Sequence, residues 1–192
     1  MNAVGNVFSS SAEGGFGSAK VKLFWLAQVL RVLSSAYAAW VLVRIVQWWT
    51  DAERVIFNMG KFVGRDLSDL AASARMLALA LDAGAWLFLL AAVVCCWRSL
   101  TYLLKEHTFS LPIARLLTWA GWLGALCQSI SLLIRPVQTY LMTAHLPAAE
   151  QVFKWSMYPQ DLLGILLCGV ILCFAYLIRW ALEIAEENRG FV

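Results

Sequence analysis

The side chains able to do chemistry are few here, and most sit in apolar surroundings. The five cysteines (Cys95, Cys96, Cys127, Cys168 and Cys173) all fall in long hydrophobic stretches, and none forms C-x-x-C. Such a thiol behaves as a small buried hydrophobe, whereas disulfide exchange needs exposed, paired thiols. The two histidines, His107 and His145, fall in different loops, so a bis-histidine haem has no candidate pair and H-E-x-x-H is absent. There is no P-loop and no G-x-S-x-G, and the acids do not cluster at metal-ligand spacing. The expectation is a non-enzymatic chain with no catalytic, cofactor or metal site. What stands out instead is charge within apolar stretches: Arg31, Arg44 and Asp82.

Those stretches decide the class of protein. Of 192 residues, 61% are hydrophobic and 14% charged, against roughly 45–50% and 25% in soluble domains. A globule this small cannot bury so much apolar surface, so a soluble enzyme, a nucleic-acid-binding domain and a disordered tail are excluded. A hydrocarbon core of about 30 Å needs about 20 apolar residues of helix. Four stretches qualify, at about residues 22–49, 76–97, 111–134 and 162–180. None alternates in polarity as a membrane β-barrel strand must. The predicted fold is all-α: an integral membrane four-helix bundle over residues 20–192, with short interfacial helices in the first and third loops. The lipid bilayer is its first partner, and no direct nucleic-acid contact is expected.

Residues 1–19, of which eight are Gly or Ser, read as a flexible tail, and no cleavable signal peptide precedes Lys20. Four spans put both termini on one side. That side carries eight Lys and Arg and the other seven, a weak bias. Lys20 and Lys22, which flank the first span, favour cytoplasmic termini. In the first loop, Thr50 followed by Glu53 is a capping-box pattern. It predicts a helix with Val55, Ile56, Met59, Phe62 and Val63 on one face, broken at Gly60 and Gly64. This helix either packs over the outer end of the bundle or covers a cavity or the membrane surface. In the third loop Pro136, Pro147 and Pro159 punctuate the chain, with a short helix over residues 148–157.

Ionisable groups within a span are costly and therefore site candidates. Arg31 and Arg44 lie roughly 20 Å apart along the first span, so both can snorkel to opposite interfaces. Asp82 is too short for that. It sits about six residues into the second span, at the depth where Arg44 leaves the first. An intramembrane Arg44–Asp82 pair is the expectation, with Arg135 as the competing partner. The pair is either structural or part of a polar cavity of a small transporter or ligand-binding protein. Ala120, Gly121, Gly124 and Ala125 on the third span form small-xxx-small pairs, as do Gly164 with Cys168 and Gly169 with Cys173 on the fourth. They suit helix packing within the chain or a homo-oligomer seam. Trp25, Trp48, Trp49, Trp97 and Trp180 near span ends read as an aromatic belt.

Two runs carry a family resemblance. One is Leu104-Lys105-Glu106-His107-Thr108-Phe109-Ser110, followed by Ala114-Arg115-Leu116-Leu117 and Gly121-Trp122; the other runs from Arg179 through Ala185-Glu186-Glu187-Asn188 to Phe191-Val192. With four spans and a short middle loop, the chain from about residue 22 resembles the bacterial family catalogued as domain of unknown function 2975. That family opens its third span with Phe-Ser and ends in an acidic Glu-Asn…Val tail. The stretch before its Phe is usually basic or glycine-containing, where this chain has Lys105-Glu106-His107. The resemblance implies a multi-pass protein of the bacterial inner membrane with an interaction or sensing role and no assigned activity. Neighbouring genes often encode small helix-turn-helix regulators, which implies a cytoplasmic DNA-binding protein as partner. Its contact surface is then the second loop and the tail residues Glu183, Glu186, Glu187 and Asn188. In physical terms Ser110 reads as an N-cap, and Arg179 and Glu183 as an i,i+4 pair.

Overall fold

In the computed structural model the chain is described over residues 5–106 and 110–189, with side chains over 21–105 and 110–188. His107, Thr108 and Phe109 of the loop motif, with Phe191 and Val192 of the closing run, lie outside the described residues. The elements in order are α1 (Gly5–Thr50), α2 (Ala52–Val63), α3 (Ala72–Glu106), α4 (Leu111–Thr143), a 3₁₀ turn (Ala148–Glu150) and α5 (Pro159–Arg189). No strand occurs among the described residues. Four helices are long and apolar enough to cross a membrane: Val21–Thr50, Ala72–Lys105, Leu111–Thr143 and Pro159–Asn188. Their outward side chains include Leu163, Leu167, Val170 and Phe174, each at least half exposed, where a soluble protein avoids contiguous apolar surface. By length and composition these four helices suggest a multi-pass membrane protein.

By contacts the chain divides at Ala36. In the first unit α1 is helical from Gly5, through the segment whose composition suggested a flexible tail. Extending a helix that already exists adds one bond per residue fixed and needs no new nucleus. Arg31 there receives local support from Gln28, whose Oε1 accepts from Nη1 at 3.3 Å.

In the second unit, residues 37–192, α3 packs on α4 and α4 on α5. Ala78, Ala85, Ala92 and Ser99 are buried at seven-residue intervals along α3. That spacing keeps small side chains on one seam and lets backbones approach. The approach is close enough for Cys127 Sγ to donate to the Ala85 carbonyl at 3.3 Å, with Gln138 on the Ala78 carbonyl at 3.5 Å. Rising α4 numbers against falling α3 numbers mark the pair as antiparallel. On the other side of α4, a Cβ at Gly121 would lie 2.6 Å from Leu172 Cγ, and one at Gly124 would lie 2.8 Å from Cys168 Sγ. Gly164 of α5 faces Gln128 in the same way, while Gly169 has nothing within 4 Å. Ala120 is buried and Ala125 half-buried on the same helix.

The loops depart from the sequence reading in three places. First, α2 is capped by Asp51, whose Oδ1 accepts from the Arg54 amide at 3.1 Å. Thr50 is the last residue of α1 and turns its hydroxyl back to the Val46 carbonyl, so the Thr50–Glu53 capping box does not form. Gly64 ends α2 with φ 75°, a left-handed conformation that glycine adopts without penalty; Gly60 stays helical. Second, Ser110 caps α4 by position, but its hydroxyl makes no cap bond. Its usual targets are the second and third amides; Pro112 has none, and the Ile113 amide already bonds the Ser110 carbonyl.

Third, α4 does not stop at Pro136 but runs to Thr143, and the helix expected over 148–157 shrinks to the 3₁₀ turn. Beyond the turn the chain is extended and lies along α4. Thr143 Oγ1 accepts from the Val152 amide and Thr139 Oγ1 from the Lys154 amide, both at 3.0 Å. Four residues of α-helix rise about 6 Å, and two of extended chain about 6.6 Å. Two threonines one helical turn apart thus match alternate amides of the extended segment. Each hydroxyl donates in turn to a carbonyl of α4, so both buried groups are satisfied.

The core sits at this end, where Trp49, Val55, Leu67, Leu70, Ala78 and Met142 cluster. Val55 of α2 is fully buried in it, so α2 packs over the ends of its neighbours.

The glycine contacts make a prediction. Gly121→Leu should overpack the α4–α5 seam and cost about 1–3 kcal/mol, seen as a lower Tm for the purified chain in detergent. Gly169→Leu, with open space around it, should leave Tm nearly unchanged.

Candidate functional site

Asp82 lies on the α3 face toward α1 and α4. Its Oδ2 accepts from the indole N–H of Trp49 at 2.7 Å, and its Oδ1 accepts from Gln138 Nε2 at 2.8 Å. The carboxylate therefore ties three helices together through two neutral donors. Arg44 is not among them: it is exposed and makes no salt bridge to Asp82, so the structure does not bring the Arg44–Asp82 pair together. A long side chain near a span end can reach water, whereas a half-buried carboxylate needs donors at hand. The indole of Trp49 is 2% exposed, so this tryptophan is a buried donor, not part of an outer belt. A second indole, Trp86, donates to the Ala38 carbonyl at 2.9 Å and joins α3 to α1 one helical turn further on.

Arg135 is also paired elsewhere. Its two guanidinium nitrogens meet the two oxygens of Asp161 at 2.5 and 2.7 Å, the bidentate arrangement that favours Arg over Lys. Nη1 reaches the Ser156 carbonyl as well, at 3.1 Å, and the Tyr158 ring lies 4.9 Å from the guanidinium carbon. Asp161 has a further task. It is the third residue of α5 after Pro159, and its Oδ2 accepts from the Tyr158 amide at 2.7 Å. An acid at this position reaching back to the cap amide is one limb of a capping box, and Pro at the first position suits the helix start. One carboxylate thus starts α5 and fixes it to α4.

Between these two polar groups lies a cavity of about 250 Å³. Trp48, Met59, Phe62 and Tyr158 give it apolar walls; Asn58, Arg135, Gln138, Thr139 and Ser156 contribute polar atoms. Gln138 joins the cavity to Asp82. With its amide nitrogen committed to Asp82 and to the Ala78 carbonyl, its oxygen is the acceptor it offers to the cavity. Thr139 lines the wall and holds the extended segment, and Lys154 from that segment donates to the Phe62 carbonyl at 2.8 Å, 4.3 Å above the Phe62 ring. That bond takes up a carbonyl in the last turn of α2 and ties α2 to the segment beside it. So α2 both packs on the core through Val55 and covers the cavity through Met59 and Phe62.

The remaining candidates are scattered. Glu183, Glu186, Glu187 and Asn188 are all exposed on the last turns of α5; Glu183 pairs with Arg179 at 3.3 Å. The cysteines are unpaired thiols, and among the described residues no three His, Cys, Asp or Glu side chains are placed to share a metal ion. Sequence reasoning missed Trp49, Gln138 and Asp161. An acid at the third position after a Pro-led helix start was the available signal for Asp161. A tryptophan and a glutamine near the depth of Asp82 were the signals for its donors.

Breaking the Arg135–Asp161 pair tests its role. Asp161→Ala strands a half-buried guanidinium and removes the α5 cap, so a loss toward the lower end of roughly 3–5 kcal/mol is expected, read as a drop in Tm. The double variant Arg135→Met with Asp161→Leu should recover most of it, giving a positive coupling in a double-mutant cycle.

No protein-family model, curated protein or solved structure matches this chain, so its site is read from its own geometry.

Proposed function

We propose that the chain is a non-enzymatic sensor of the bacterial inner membrane that binds a small ligand in the cavity beneath α2. One observation carries this reading: the Trp49–Asp82–Gln138 chain of hydrogen bonds ends at the wall of that cavity. A ligand that bonds the Gln138 oxygen acts on the amide that Asp82 depends on. Through Asp82 it bears on the Trp49 bond between α1 and α3. Occupancy is thereby converted into a change in how three helices are held, which is what sensing requires.

The lining sets the ligand class. Arg135 is neutralised by Asp161, and Asp82 faces its two donors, so the cavity carries no free charge to match. Aromatic walls with amide and hydroxyl groups suit a small, uncharged, partly aromatic molecule with one or two polar atoms. The position of the cavity, at the loop end of the helices, favours binding over passage, which ranks transport second. The family resemblance supplies the output: a small cytoplasmic DNA-binding regulator. The exposed carboxylates Glu183, Glu186 and Glu187, with Asn188, offer that partner a contact surface, and this orientation puts both termini in the cytoplasm.

The test is a thermal-shift measurement on the purified chain with benzamide, phenol and indole as probes. A site filled to about 100 times its Kd stabilises by about 2.7 kcal/mol, a rise of a few degrees in Tm. Asn58→Trp, which fills the cavity from its exposed rim, should abolish the rise while leaving the unliganded Tm in place. Absence of any shift, or a shift that survives Asn58→Trp, rejects the site.

A further inference from the structure

The opposite ends of α3 and α4 frame a second space. A groove of about 620 Å³ opens there, lined on α3 by Arg98, Tyr102 and Lys105, and on α4 by Pro112 and Arg115. Residues 98, 102 and 105 recur at helical spacing and share one face, so Arg98 and Lys105 of α3 border one space with Arg115 of α4. Among the described residues no carboxylate lines it. The salt bridges among the described residues are Arg135–Asp161 and Arg179–Glu183, so Arg98, Lys105 and Arg115 have no acid partner there. The acidic turns at the end of α5 do not supply one either.

Three like charges held in a groove repel one another and favour a counter-anion. The first turn of α4 borders the groove through Pro112, and the positive end of a helix dipole adds to the attraction. The surroundings indicate where the anion comes from. Trp97, Tyr102 and Trp119 are 43%, 41% and 63% exposed at this level, and tryptophan and tyrosine collect at the headgroup region of a bilayer. The groove thus lies where the ends of two apolar spans meet lipid phosphates, and basic pockets between spans bind such headgroups.

We propose that this groove binds the phosphate of an anionic phospholipid, with Arg98, Lys105 and Arg115 as its charge partners and the Tyr102 hydroxyl as a further donor. The site is separate from the cavity beneath α2 and does not depend on that cavity's ligand. A bound headgroup neutralises the cations and bridges α3 to α4 on the side away from the core.

The experiment uses the full chain in nanodiscs. It compares phosphatidylglycerol with phosphatidylcholine by the number of lipids retained in native mass spectrometry. Phosphatidylglycerol should be retained preferentially. At about fivefold per cation near the surface, the double variant Arg98→Gln with Arg115→Gln should lower that preference by about 25-fold. Arg115→Glu alone should also lower it. Both positions are exposed, so Tm should stay within a few degrees. Arg54→Gln with Lys61→Gln, an equal charge loss on α2, should leave the preference intact. Equal retention of the two lipids overturns the proposal, as does an equal fall in the α2 variant, which indicates general charge attraction. Full displacement by glycerol 3-phosphate or inorganic phosphate at low millimolar concentration assigns the groove to a soluble anion and rejects the lipid source.

Discussion

A carboxylate inside an apolar span has to be satisfied by the protein, and the arrangement around Asp82 follows from that demand. Water is scarce at that depth, and an unpaired polar group there costs several kcal/mol. Donors must come from neighbouring helices, because the amides of α3 are spent on its own ladder. Trp49 and Gln138 fill the two places at 2.7 and 2.8 Å, and in doing so they set the register of α1 and α4 against α3. The indole of Trp49 can serve only if it turns inward, which places it in the core with Val55, Leu70 and Met142. Satisfying one carboxylate and burying one hydrophobic cluster are thus the same act of packing.

The same demand shapes the connection from α4 to α5. An extended chain crossing the end of a bundle carries unpaired amides, and each has to be satisfied. Thr139 and Thr143 answer it with hydroxyls spaced to match the strand, while Asp161 serves the Tyr158 amide and the Arg135 guanidinium together. Pro136 sits within α4 with its ring buried, and the Thr139 hydroxyl donates to its carbonyl at 2.8 Å. Arg135, Thr139 and Tyr158 of these devices line the space beneath α2. The cavity there is what is left between polar groups that have already found partners, which explains why its lining is polar yet uncharged in balance.

The spans were legible in the sequence because hydrophobic length is a strong, local signal. Asp82 was legible as the charge that snorkelling cannot remove. Its partner was not. Charge complementarity pointed to Arg44, but a guanidinium on a long chain satisfies itself in water, and two neutral donors serve the carboxylate without a second desolvated ion. A tryptophan at a span end reads as an interfacial anchor, and only the fold shows whether its ring turns outward or inward. The third loop was misread for a related reason. Taking Pro136 as a break placed Thr139 and Thr143 outside the helix, and their role depends on both being one turn apart on it. Local pattern carries the elements here, while the pairings across elements depend on tertiary placement that no spacing rule encodes.

The two ends of the α3–α4 pair then differ in kind. At one end the charges beside the cavity, Arg135 and Asp161, pair with each other and Asp82 has its two donors, a hydrophobic cluster lies beside these polar groups, and α2 closes over what remains. At the other, Arg98, Lys105 and Arg115 converge with no acid among the described lining residues, beside aromatics that are exposed. Three cations left together add nothing to stability; their repulsion works against the fold. The cost is removed only when something outside the chain brings negative charge to that place. The membrane surface does so wherever the span ends, without any segment of the chain having to be spent on it. The packed end is therefore suited to hold a fixed arrangement that a small molecule can perturb, and the open end to fasten the same two helices to the bilayer around them.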